Sequence, residues 1–356
     1  MDGDVVATAA DAAALALPPL LILDRAGAFL DDAGLGSGPL RWARIGGGQS
    51  NVTFRIQRDG ADVVLRRGPR PPLPPSTHDM VREARIQAAL APLGVPVPRI
   101  LAVCEDQAVL GVPFYVMEYL DGDVVTDTIP AHLDGPEQRR GTSEALADML
   151  VQLHSLEIGS GELAGLGRPD GYLKRQLQRF AALWEMGATR ELPQVAAVAT
   201  WLEANRPDTQ RTALIHGDYR LGNLMFRRTA PARVLGVLDW EMATLGDPLA
   251  DLGYLTATYA QAGEPATFMQ LSGVTALPGY LNREQLADRY NRHFGLDLSA
   301  LPWYQALALW KAAIFSEAIY TRWRHGERDD DAGFGAVLEA GVPKLLEVAA
   351  GYAGRL

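Results

Sequence analysis

The hydrophobic period of this chain changes at Glu118-Tyr119-Leu120-Asp121-Gly122, and that change restricts the possible folds more than any other feature. Before it the apolar runs are short. Leu40 to Ile45, Val52 to Gln57 and Val63 to Arg66 read as strands, separated by Gly46-Gly47-Gly48 and by the turn signal Arg58-Asp59-Gly60. A three-strand meander is the simplest account. A proline-rich stretch, Pro69 to Pro75, leads into Met80, Val81, Ile86, Ala89 and Leu90 at helical spacing, ended by Pro92 and Gly94. Two further strand-like runs follow, Ile100 to Cys104 and Phe114 to Met117. Beyond the break the segments lengthen, as in Glu144 to Leu156, where Leu146, Met149, Leu150, Leu153 and Leu156 share one helical face. A chain of 356 residues exceeds the usual size of one core. The pattern therefore predicts an α+β, two-lobed fold: an N-terminal antiparallel sheet with one helix and a mostly helical C-terminal lobe. The expected division is 1–117, a hinge at 118–122, and 123–356.

Charge narrows the partners. Lys+Arg 33 against Asp+Glu 43 gives a net charge of -10, which repels polyphosphate backbones and anionic lipid over most of the surface. That charge argues against nucleic acid and anionic membrane as partners, local basic pockets aside, and no run of about 18 apolar residues reads as a membrane span. The single cysteine, Cys104, follows Ala102 and Val103 and reads as a reduced, buried thiol. The N-terminal stretch through Leu23 has Asp2, Asp4 and Asp11, no Lys or Arg, and Pro18-Pro19, so it does not read as a secretory signal. A cytoplasmic protein is the expectation, and the sequon at Asn51 is then never glycosylated.

The chemistry concentrates where two short apolar runs end in acidic loops. Leu214 to Phe226 reads LIHGDYRLGNLMF, and sixteen residues beyond Asn223 the run VLGVLDWE brings Asp239 to a strand end. Phosphoryl transfer asks a protein for a carboxylate to take the proton of an attacking hydroxyl and for oxygen ligands to hold Mg²⁺ against nucleotide phosphates. An Asp followed five residues later by Asn, with a later Asp at a strand end, is the spacing that kinase sites use. On that spacing Asp218 is the base, Asn223 and Asp239 are the metal ligands, and Arg220 offsets charge on the migrating group.

The run from His216 to Leu255, HGDYRLGNLMF followed by VLDWEMATLGDPLADLGYL, resembles the aminoglycoside phosphotransferase and choline kinase-like family. It is most similar to the phosphotransferase-like module of some multidomain acyl-CoA dehydrogenases. The resemblance runs in order from about Leu40 to Tyr254. It implies a phosphate-covering loop at Gly46-Gly47-Gly48-Gln49-Ser50-Asn51, where a missing Cβ lets backbone N–H groups approach phosphate. It also implies a phosphate-gripping cation on the third strand with a Glu partner on the following helix. Here Arg66 stands where the family's Lys is usual, and Glu83 is the partner; a forked guanidinium is not interchangeable with an ammonium. Glu118 and Leu120 would offer backbone contacts to adenine, and Asp251 would brace the catalytic loop.

Three side chains are read as structural: Asp247 before Pro248 as a helix cap, and His154 and His216 as packed histidines. Trp303, Trp310 and Trp323 default to buried packing, with one of them available to line an acceptor pocket.

The resulting expectation is ATP- and Mg²⁺-dependent transfer of a γ-phosphoryl group to a small-molecule hydroxyl. The acyl-CoA dehydrogenase resemblance implies a hydroxyacyl or other metabolic alcohol rather than an aminoglycoside, and the Asp329-Asp330-Asp331 cluster, flanked by Arg322, Arg324 and Arg328, reads as a solvated charged turn. No A-P-E motif follows Asp239, which disfavours protein substrates. Alternatives are a nucleotide-binding pseudokinase or regulatory module, favoured only by Arg66, and a metal-dependent phosphohydrolase. Oligomeric state is not legible.

Overall fold

The computed structural model describes residues 3–46, 51–71, 78–264, 266–326 and 333–354. Contacts divide the chain into two units, Met1–Asp121 with Gly236–Glu241, and Gly122–Leu235 with Met242–Leu356.

In the first unit a five-stranded antiparallel sheet runs in the order Ser37–Ile45, Val52–Asp59, Ala61–Arg67, Phe114–Glu118, Ile100–Cys104. The meander over the first three strands is as expected. Alternation assigns the two faces. Phe54, Ile56, Val63, Leu65, Phe114 and Val116 turn one way and pack with the Leu23–Asp32 helix through Ala26 and Leu30. Val64, Tyr115 and Met117 turn the other way and are covered by Met80 and Ala84 of the Met80–Leu90 helix. That helix is capped by Asp79, whose side chain accepts from the Arg82 amide, and Gly94 closes the following turn at φ 79°. Cys104 is buried among the first set of side chains, and burial pushes its thiol pKa up.

The second unit is helical around two small strand pairings. The helix read over Glu144 to Leu156 begins at Pro136 and ends at His154. Its early start escaped the apolar pattern because the first turns bury Thr142 and Ser143, whose hydroxyls donate back to carbonyls four residues earlier. Strand Ala213–Ile215 pairs antiparallel with Thr244–Gly246, and Leu224–Phe226 lies between Asp123–Val124 and Val234–Val237. Helices Leu249–Thr258, Arg283–Phe294, Leu301–Arg324 and Phe334–Ala353 follow. Trp303 and Trp310 are fully buried and donate from Nε1 to the carbonyls of Leu202 and Val195, so neither lines an acceptor pocket.

Residues 236–241 depart from the expected division, since they belong to the first unit although 123–356 was read as one lobe. The Val237 amide donates to Pro96 O at 2.8 Å, and buried Trp240 donates to Val237 O at 3.0 Å. At Gly236 a Cβ would stand 2.5 Å from Leu120 Cδ1, so a larger residue there would have to push the Leu120 side chain aside. Among the described residues no helix is long and apolar enough to cross a membrane.

Candidate active site

The first unit holds an arginine between two carboxylates. Arg66 is on the sheet face of Val64, opposite to Leu65, and so meets the helix that carries Glu83. Its Nε lies 3.1 Å from Glu83 Oε1, with no N–H aimed well enough for a hydrogen bond, and its Nη2 donates to Asp239 Oδ1 at 2.7 Å. Burial pulls the Arg66 pKa down, but the charges of Glu83 and Asp239 outweigh it and hold the pKa above its ordinary value. Glu83 is 1% exposed; burial pushes its pKa up, and Asp239 adds to that push, against the pull of Arg66. Asp239 itself has φ 66°, a left-handed conformation that is rare outside glycine and clusters at functional sites.

Beside this cluster the buried Asn51 donates from Nδ2 to Glu241 Oε2 at 2.8 Å, and its Oδ1 is 2.9 Å from His78 Nδ1. Gly47, Gly48, Gln49 and Ser50 lie outside the described residues. At the end of the Phe114–Glu118 strand the Glu118 amide donates to Arg99 O at 2.9 Å. Only the carbonyl of Glu118 is therefore left for a base contact.

The second unit holds the HGDYRLGN loop. Strand Ala213–Ile215 delivers it, and a 3₁₀ turn at Leu221–Asn223 ends it. Gly217 takes φ 87°, and a Cβ there would meet Met242 Cβ at 2.7 Å and Met242 O at 2.8 Å. Asp251 receives the loop's exposed amides: His216 N–H donates to Oδ2 at 2.7 Å and Gly217 N–H to Oδ1 at 2.9 Å. His154 Nε2 lies 3.2 Å from the same Oδ2, and its Nδ1 is 2.9 Å from Tyr290 OH. Burial alone would raise the Asp251 carboxyl, but the His154 contact and the His216 amide hold it below its ordinary value. Tyr219 is buried and donates to Leu146 O at 2.7 Å, which pins the loop's middle.

That anchoring turns Asp218 and Arg220 outward, 25% and 23% exposed. Asn223 Nδ2 donates both to Asp218 O and to Asp218 Oδ2, each at 2.8 Å. An amide between two acceptors must present its NH₂ to them, which leaves Oδ1 facing away as a free oxygen ligand. Arg220 Nε lies 3.4 Å from Asp218 Oδ1, and Tyr254 OH donates to that same oxygen. Arg220 also borders a small pocket with Leu255, Thr258, Met269, Leu271 and Ser272.

Of the residues singled out in the sequence, Asp218, Arg220 and Asn223 stand together in the second unit, and Asn51, Arg66, Glu83 and Asp239 in the first. His216 and His154 are buried and hydrogen bonded as read. Asp247 caps the Leu249–Thr258 helix through the Leu249 amide at 3.0 Å and accepts from Tyr304 OH at 2.8 Å. Tyr254 and Glu241 were missed. Tyr254 could have been found, because it stands three residues after Asp251 on one helix face; nothing local signals Glu241.

Residues 41–305 match the model of the phosphotransferase enzyme family. The chain belongs to that family. A chicken (Gallus gallus) protein, acyl-CoA dehydrogenase family member 11, is 36% identical over 323 residues, covering 88% of this chain and 41% of that protein. The mouse (Mus musculus) family member 10 is 35% identical over 291 residues, covering 80% of this chain and 27% of that protein. The chain thus spans well under half the length of these curated relatives. A solved structure from Ralstonia eutropha, provisionally classed as an aminoglycoside phosphotransferase, superposes with TM-score 0.76 at 29% identity, covering 93% of this chain and 98% of the other. The family and these likenesses give the chain a kinase-like phosphotransferase fold.

Proposed function

We propose that this protein transfers the γ-phosphoryl group of ATP, with Mg²⁺, to a hydroxyl of a small metabolic alcohol, a hydroxyacyl compound being favoured over an aminoglycoside. The observation that carries this is Asp218, turned outward on a loop whose backbone is tied to Asp251 and whose carboxylate is oriented by Asn223. A carboxylate so placed accepts the proton of an attacking hydroxyl. Arg220 offsets charge on the moving phosphoryl, and Arg66, oriented by Glu83, grips the nucleotide phosphates. The unit that carries Arg66 would also supply the glycine loop and the Glu118 and Leu120 backbone.

The donors present suit magnesium. Among the described residues no three His, Cys, Asp or Glu side chains gather at metal-ligand distance. Asn223 and Asp239 are oxygen donors, the type that suits an ion held by one or two carboxylates together with waters and substrate phosphates. Asn223 Oδ1 and Asp239 would hold it, and when bound it neutralises charge on the phosphates. Asp239 then has to share or surrender its contact with Arg66, and the phosphates offer the guanidinium a replacement.

Support for nucleotide use comes from a fold neighbour, a thermostable variant of an aminoglycoside phosphotransferase solved as a ternary complex with ADP and hygromycin B, TM-score 0.56 at 15% identity. The full-length relatives named as acyl-CoA dehydrogenases point toward an acyl chain on the acceptor.

The test is ADP release from ATP and Mg²⁺ across hydroxy acids, hydroxyacyl thioesters and aminoglycosides. Asp218→Asn should reduce acceptor-dependent release by about 10²–10⁴-fold, the usual worth of a positioned base, at an unchanged thermal midpoint. Tight ATP binding with no acceptor-dependent release across the panel would instead favour the pseudokinase reading.

A further inference from the structure

We propose that the Tyr254 hydroxyl occupies, on Asp218 Oδ1, the place that the acceptor's hydroxyl takes, so that Tyr254 silences the base toward water until a fitting acceptor displaces it. The proposal rests on the reading of Asp218 as the base.

Three groups face the Asp218 carboxylate, the hydrogen-bond donors Asn223 and Tyr254 and the Arg220 cation at 3.4 Å, and they differ in how easily they leave. Asn223 ends the 3₁₀ turn Leu221–Asn223 on the same loop and is tied twice, to the backbone carbonyl and to Oδ2 of Asp218. Arg220 is two residues away in sequence, its guanidinium packed so closely over Gly222 that a Cβ there would stand 2.3 Å from Arg220 Nη1. Tyr254 alone comes from another element, the Leu249–Thr258 helix, and reaches Oδ1 with a single hydroxyl. It is also the one of the three with an O–H, the group that an alcohol acceptor presents to a base.

The surroundings of Oδ1 agree with an exchange. Asp218 is a quarter exposed, and Arg220 opens onto the pocket with Leu255 and Thr258, which flank Tyr254 on the same helix. A side-chain rotation of Tyr254 would free Oδ1 without moving the backbone that Asp251 holds at His216 and Gly217. No bond is made or broken by the gate: the phenol keeps its proton, leaves Oδ1, and the incoming hydroxyl donates in its place. An acceptor must therefore outcompete a resident hydroxyl, whereas a water molecule, with no further contacts to spend, does not. Tyr254 is on this view a specificity and positioning residue.

The experiment uses the full chain with ATP and Mg²⁺, water being the only acceptor. Tyr254→Phe, which keeps the ring and removes the hydroxyl, should raise acceptor-free release of ADP and phosphate by about tenfold, the factor that one hydrogen bond of about 1.4 kcal/mol commands. In the double variant with Asp218→Asn the gain should vanish. Water-directed hydrolysis that is unchanged or lower in Tyr254→Phe, at an intact thermal midpoint, would overturn the gate and leave Tyr254 a mere support of Asp218. If the Phe variant does not fold, Tyr254→Leu is read in the same way. Failure of the underlying reading looks different, because Asp218→Asn alone would then leave every ADP release of the native protein unaltered.

Discussion

The Arg66 cluster and the Asp218 loop carry comparable numbers of charged groups but are held by different forces. Around Arg66 the charges hold one another: one guanidinium serves a buried glutamate and a half-exposed aspartate in a left-handed backbone conformation. Around Asp218 the frame is mostly amides and hydroxyls, in which Asp251 accepts two backbone N–H groups and Tyr219 and Asn223 tie the loop to carbonyls. A cluster held by charge rearranges when a ligand brings new charge, whereas a loop held by backbone hydrogen bonds keeps its shape. The first region is thus suited to exchange phosphate and cation, and the second to keep a base aimed through turnover.

Removing the anchor of the rigid region should have the largest effect. Asp251→Ala leaves two amides and His154 without their partner in a buried site, and a loss of about 3 kcal/mol is expected, read by denaturant midpoint. The pH dependence has a definite sign. Because the folded carboxyl is held below its ordinary value of 3.8, its stabilisation is present above that value and is lost as pH falls through the folded pKa. Thermal midpoints of the native protein should therefore drop more steeply in that acid range than those of Asp251→Asn. Equal slopes would mean that the brace is not ionic.

A smaller loss is expected at Gly217→Ala. The added Cβ meets Met242 backbone and side chain at a positive φ, so about 1–3 kcal/mol of strain should appear, with turnover falling along with stability. Turnover that survives at full rate would show that the loop tolerates displacement, and the contrast between the two regions would weaken.

The smallest effect tests the exchangeable region. Arg66→Lys keeps the charge but cannot span Glu83 and Asp239 with separate nitrogens, so ATP affinity should weaken by about tenfold with little change in folding midpoint. A large drop in stability instead would recast Arg66 as a structural strut.

The reach of the sequence followed the range of the interactions. Strand alternation and helical spacing are local, and they marked the meander and the Met80–Leu90 helix, whereas the meeting of Arg66 with Glu83 was legible only through the family resemblance. The HGDYRLGN motif is also local, and its internal Asp218–Asn223 pairing matched its spacing. The start of the Pro136–His154 helix was hidden by Thr142 and Ser143, polar residues made burial-compatible by back-bonding to the helix. Residues 236–241 were misassigned because a six-residue excursion leaves no mark in hydrophobic period.

What the sequence alone determined is which groups are available and in what order: a base, an amide and a later acid at kinase spacing, an arginine in place of lysine, and the break in periodicity between sheet and helices. Tertiary structure decided who restrains whom. Asp251 and His154 stand 97 residues apart in sequence, and Arg66 and Asp239 173 apart, yet each pair is in contact. Such pairings depend on chain closure over long loops and on the burial that makes a shared charge worth holding, and neither is encoded in the neighbours of any one residue.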